Sequence, residues 1–129
     1  MPGMLRKQVY TETEAKVEEF DAEDRKAVPK NSVILYEHKQ YNKDKKGRKR
    51  IISVTEYSPT SLYSLHVIDF KDCLSSLRWN LDDGIVLTLY EGHDGGGRQY
   101  QIWGAGKDSD THNNDFKDCA SSWNWYRTS

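Results

Sequence analysis

No apolar run in this chain approaches the roughly 18–20 residues that a bilayer-spanning helix needs, so no transmembrane helix is expected. The N-terminus, Met1-Pro2-Gly3-Met4-Leu5-Arg6-Lys7, lacks the apolar stretch of a signal peptide. A cytoplasmic protein is expected, although a secreted mature form would look the same. Charge of one sign is also lacking. The formal net charge is −1, which gives no global field to attract nucleic acid, and no nucleic-acid partner is expected. Cysteine is scarce. The two residues, Cys73 and Cys119, read most simply as free thiols in a chain without a signal peptide. A bridge between them stays open, because sequence carries no Cα separation.

Signatures of catalysis are missing as well. His38, His66, His93 and His112 show no metal-ligand spacing, and no nucleophile-elbow motif occurs. Gly95-Gly96-Gly97 is not followed by Gly-Lys-Ser/Thr or by a helical pattern, so it reads as a tight hairpin and not a phosphate loop. Residues 108–115 begin like an EF-hand loop. The sixth position, however, is Asn113 where glycine is needed, and the twelfth is Cys119 where glutamate is needed. An enzyme is not expected.

What the chain does have is a repeat. Asp69-Phe70-Lys71-Asp72-Cys73-Leu74-Ser75-Ser76-Leu77-Arg78-Trp79 returns 46 residues later as Asp115-Phe116-Lys117-Asp118-Cys119-Ala120-Ser121-Ser122-Trp123-Asn124-Trp125. Upstream, Val33-Ile34-Leu35-Tyr36-Glu37 matches Leu87-Thr88-Leu89-Tyr90-Glu91, and Gly47-Arg48 matches Gly97-Arg98. One structural unit is therefore used twice. The first copy carries extra residues, and they fall in polar connections where a common framework tolerates insertion.

The length suits one domain with a tail. Strands are expected at residues 32–36, 51–55, 75–79, 85–90, 100–103 and 120–126, with a short bend within 62–69 and a polar loop at 107–115. Short β-prone segments punctuated by turns, repeated twice, indicate an all-β Greek-key sandwich. Residues 1–31 stand outside the repeat. There, residues 8–11 read as a short strand. Thr11-Glu12-Thr13-Glu14 has the form of a capping box for a helix reaching Lys26, with Ala15, Val17, Phe20 and Ala22 as its apolar stripe. The stretch 37–50 is rich in lysine and arginine. It reads as a solvated hairpin that protects a strand edge, or else as a contact surface for an anionic partner.

The Asp-x-x-Ser-Ser block is the candidate site. Calcium takes six to eight oxygens from carboxylates, hydroxyls and carbonyls. Asp72 and Asp118 supply charge, Ser75 and Ser121 supply hydroxyls, and Cys73 and Cys119 can offer carbonyls. Spacing alone leaves an equal alternative, in which these side chains only bond to the local backbone at the entry to a strand.

Tyr36-Glu37…Gly47…Ser76 and Tyr90-Glu91…Gly97…Ser122 together resemble the βγ-crystallin superfamily, whose pattern is an aromatic residue, six residues, a glycine and a later serine. The second unit fits; the first has ten residues between Tyr36 and Gly47, so its hairpin is expected to be longer. The resemblance covers about residues 32–127. It implies a βγ-crystallin-like domain over 32–129, with Greek keys at about 32–79 and 85–127 that exchange a strand. It gives Ser76 and Ser122 the role of bonding back to the hairpin. It also implies a non-enzymatic structural or stress-related protein of the microbial and invertebrate type, binding two Ca2+ ions. The ligand groups expected from that resemblance are Glu91 with Asp72 and Ser75, and Glu37 with Asp118 and Ser121. The family's first loop position is Asn or Asp, but here it is Lys71 and Lys117. Either the lysine stems carry their charge into solvent and the sites are weakened, or the ammonium groups replace the ion. Alternatives to the calcium reading are a calcium-independent structural crystallin and an interaction module, with a membrane or protein partner at residues 37–50. A monomer or weak homodimer is expected.

Overall fold

The computed structural model describes residues 9–10, 18–116 and 118–128. Among the described residues, a two-residue strand, β1 (Val9–Tyr10), and a helix, α1 (Ala22–Ala27), precede the repeat. The first repeat lays down β2 (Ser32–Tyr36), β3 (Lys49–Ser53), β4 (Tyr63–Ser64) and β5 (Ser76–Asn80). The second lays down β6 (Ile85–Tyr90), β7 (Gln99–Trp103), β8 (Ala105–Asp108) and β9 (Ser122–Arg127). All pairings among the described residues are antiparallel, and their strands form two sheets ordered β3-β2-β5-β8 and β1-β7-β6-β9-β4. The third strand of each repeat joins the other repeat's sheet. β4 pairs with β9 through Tyr63 opposite Trp123, and β8 pairs with β5 through Gly106 opposite Trp79.

Between the sheets lies one core. Val33, Leu35, Leu77 and Trp79 come from one sheet; Leu87, Leu89, Ile102 and Trp123 come from the other. Phe70 and Phe116, at equivalent repeat positions, close it from the loops. Each buried indole at the end of a repeat finds a main-chain acceptor outside its own strand. The Trp79 ring N–H donates to the Trp103 carbonyl at 3.1 Å, and the Trp125 ring N–H donates to the Tyr57 carbonyl at 3.0 Å. A buried indole donor needs such a partner.

Strand β2 is buried along its whole length because both of its faces are covered. Val33 and Leu35 face the core, while Ile34 and Tyr36 form a second cluster with Val28, against which Phe20 and Tyr41 pack. Residues 18–28 thus lie across the outer face of this sheet.

Two expectations need correction. The helix expected to reach Lys26 does not run through residues 18–21; it begins at Ala22, and Asp21 caps it. The Asp24 N–H donates to Asp21 Oδ1 at 3.0 Å, and the Asp21 N–H donates to Asp24 Oδ2 at 2.9 Å. Glu18 is extended and bridges to Lys107. Thr11 to Val17, with the expected capping box, lie outside the described residues. Secondly, Lys107 and Asp108 belong to β8 and not to a loop. The polar loop follows them, and within it Thr111–Asn114 is a 3₁₀ turn.

Candidate functional site

Both copies of the repeat keep aspartate at two positions where the backbone is left-handed. Asp69 and Asp115 have φ of 55° and 57°, and Asp72 and Asp118 have φ of 56° and 53°. Short polar side chains tolerate this region better than most. Each pair follows a 3₁₀ turn, Leu65–Ile68 or Thr111–Asn114. The buried phenylalanine between the two aspartates anchors the loop in the core.

The two loops cross antiparallel. The Asp72 N–H donates to the Ala120 carbonyl and the Asp118 N–H to the Leu74 carbonyl, each at 2.8 Å. The Ser75 N–H donates to the Tyr36 carbonyl at 3.0 Å, and the Ser121 N–H to the Tyr90 carbonyl at 2.8 Å. The buried hydroxyls then reach across. Ser75 Oγ donates to Asp118 Oδ1 at 3.2 Å, and Ser121 Oγ donates to Asp72 Oδ1 at 2.8 Å. The structure therefore groups Ser75 with Asp118 beside Glu37, and Ser121 with Asp72 beside Glu91. The expected groups placed each serine with the aspartate of its own loop, and the crossing exchanges them. Ser76 and Ser122 tie back to the hairpins. Ser76 Oγ donates to the His38 carbonyl at 2.7 Å, and Ser122 Oγ to the Gly92 carbonyl at 2.6 Å.

Glu37 and Glu91 are held away from free coordination by an arginine apiece. Glu37 Oε1 accepts the Arg48 main-chain N–H at 2.7 Å, and its Oε2 pairs with the Arg48 guanidinium at 3.2 Å. Glu91 repeats this with Arg98 at 3.1 and 2.8 Å. Each guanidinium also pairs with the first aspartate of its loop, Arg48 with Asp69 at 3.3 Å and Arg98 with Asp115 at 2.9 Å. The hydrogen bonds from Arg48 hold the Glu37 carboxyl below its usual range, and those from Arg98 do the same for Glu91. Gly97, at φ +77°, packs its Cα against Glu91, where an added Cβ would come within 2.6 Å of Oε1. The twice-repeated Gly-Arg was visible in the sequence, but only the structure joins it to the glutamate and the aspartate.

Lys71 is exposed, and among the described residues it makes no ion pair. Lys117 lies outside the described residues. Cys73 and Cys119 are free thiols at partly buried positions. Burial pushes the Cys119 thiol up to about 11 and raises that of Cys73 as well. Among the described residues, no three His, Cys, Asp or Glu side chains converge on one point. A cleft of about 470 Å³ opens beside Ser75 and Asp118, and the insertion in the first hairpin adds Asp44 and Lys45 to its wall. Of the basic stretch, Arg48 and Arg50 are engaged with Glu37 and Asp69, and Lys43 stands 5.6 Å over the Tyr41 ring. Lys39, Lys45, Lys46 and Lys49 are exposed.

No protein-family model matches the chain, and no curated protein sequence matches it. Solved structures do. One, from work on the evolution of the eye-lens βγ-crystallin domain fold, aligns with a TM-score of 0.60 at 15% identity, over 94% of this chain and 99% of its own. A βγ-crystallin from Ciona intestinalis aligns at 0.52 with 20% identity, over 74% of this chain and 99% of its own. A tryptophan-to-aspartate mutant of a βγ-crystallin domain from Clostridium beijerinckii aligns at 0.51 with 20% identity, over 74% and 97%. At these identities the likeness is one of fold, and the fold of this chain is that of the βγ-crystallin domain.

Proposed function

We propose that this chain is a non-enzymatic structural protein of the βγ-crystallin type that binds calcium at its two crossed loops and is stabilised by it. One observation carries the reading. In each half an aspartate oxygen of one loop meets a serine hydroxyl of the other, at 3.2 and 2.8 Å. These are hard oxygen donors of the kind calcium takes. Ser75 and Asp118 would hold one ion and Ser121 and Asp72 the other, with main-chain oxygens from the Cys73 and Cys119 loops and from the hairpins of Glu37 and Glu91. The glutamate carboxylates are committed to Arg48 and Arg98. One carboxylate per ion means low charge at each site, hence modest affinity. Lys71, exposed and without an ion pair among the described residues, supports a weakened site over one closed by an ammonium group.

An ion bound only by the folded state raises its stability by RT ln(1 + [Ca]/Kd). The test is a thermal melt in millimolar calcium against the same protein in chelator. A rise of several degrees, lost in the Asp72→Ala/Asp118→Ala double variant, is expected. An unchanged melt at millimolar calcium rejects the reading. The exposed lysines of residues 39–49 favour a second reading, contact with an anionic surface. Co-sedimentation with anionic liposomes at moderate salt tests it, and no binding removes it.

A further inference from the structure

We propose that Cys73 and Cys119 form an intramolecular disulfide under oxidising conditions, closing the crossing of the two loops into a covalent clasp. The register of the crossing leads to this. Asp72 is tied to Ala120 and Asp118 to Leu74 by the two 2.8 Å backbone bonds, so Cys73 and Cys119 are the residues left opposite one another between them. Those two bonds bracket the pair and hold the two backbones side by side at this point. Disulfides span roughly 4.4–6.8 Å. Both side chains pack against the same core cluster, so both lie on one side of the crossing. No calcium is needed for any of this, so the inference stands apart from the metal reading.

The oxidant is a low-molecular-weight disulfide. The thiolate of one cysteine attacks it, forming a mixed disulfide and releasing one small thiolate. The thiolate of the other cysteine attacks the protein sulfur of that mixed disulfide and releases the second. Two protein thiols and one reagent disulfide become one protein disulfide and two reagent thiols, which carry the two electrons and the two protons.

The full chain is incubated in chelator with oxidised glutathione at pH 8.5, and intact mass, peptide mapping and thermal melting are read. The expected product is a monomer lighter by two hydrogens. Its Cys73 and Cys119 peptides are joined, and it melts several degrees above the reduced protein. Cys73→Ser and Cys119→Ser single variants should not give this product. Glutathione retained on both cysteines, or disulfide-linked dimers, would overturn the proposal. So would an unchanged mass while the same reagent modifies the urea-unfolded chain.

Discussion

The smallest unit that explains the repeat is a triad of Glu, Arg and Asp, Glu37-Arg48-Asp69 in one half and Glu91-Arg98-Asp115 in the other. It binds the folded hairpin to the loop that carries the candidate site. Both glutamates sit below their usual value because the charged form is the one hydrogen-bonded. For a carboxyl lowered in the folded state, the added stability is complete above the unfolded value, about 4.3 for glutamate. It is lost as pH falls through the lower folded value. Thermal melts taken from pH 7 down to 2.5 should therefore be flat with respect to these groups until about pH 4.3, and then decline. An Arg48→Met/Arg98→Met variant should melt several degrees lower at pH 7 and decline less below that point. An unaltered slope in the variant would place the acid sensitivity elsewhere. The sequence displayed every member of the triads twice, yet spacing could not show that the arginine turns back to its own hairpin.

At the scale of elements, the segment before the repeat is part of the domain's construction. A six-residue helix has too few hydrogen bonds to persist alone, so α1 depends on what it touches. Asp24 is 3% exposed, pairing with Arg78 at 3.1 Å and Lys107 at 2.8 Å. Arg78 stacks near the Tyr36 and Tyr41 rings, and the Tyr41 hydroxyl donates to Glu18 at 2.8 Å. Asp24→Ala would leave two cations without their shared carboxylate. Breaking a buried ion pair in this way costs about 3 kcal/mol, which should appear as a lower urea midpoint with little change in slope. A midpoint shift near zero would mean that the helix contributes nothing to the domain. The strands within the repeats were legible because their flanking turns carry strong signals, with Ser32–Tyr36 and Ile85–Tyr90 falling where sequence placed them. The helix was not. Two aspartates form its capping box, Asp21 with Asp24, while Thr11-x-x-Glu14 looked the better match. Nor did the apolar run of β2 reveal its outer cover, since a strand buried on both faces loses the alternation that reports direction.

Taken whole, the molecule is a two-fold object whose halves cannot be separated from its site. Strand exchange puts β4 in the second repeat's sheet and β8 in the first's, and the loop crossing does the same to the donors. Every candidate donor was legible from the repeat. Their partnership was not, because a residue's own loop is its neighbour in sequence while the other loop is its neighbour in space. This gives the calcium reading a sharper consequence. If each ion is held by one loop's aspartate and the other loop's serine, Asp118→Ala should remove one ion and leave the Asp72–Ser121 half in place. At free calcium of about 100 Kd, each ion adds about 2.7 kcal/mol. The single variant should then keep close to half of the calcium-dependent stabilisation, and calorimetric titration should count one ion in place of two. Loss of both ions in the single variant would mean that the two carboxylates serve a shared ion at the crossing.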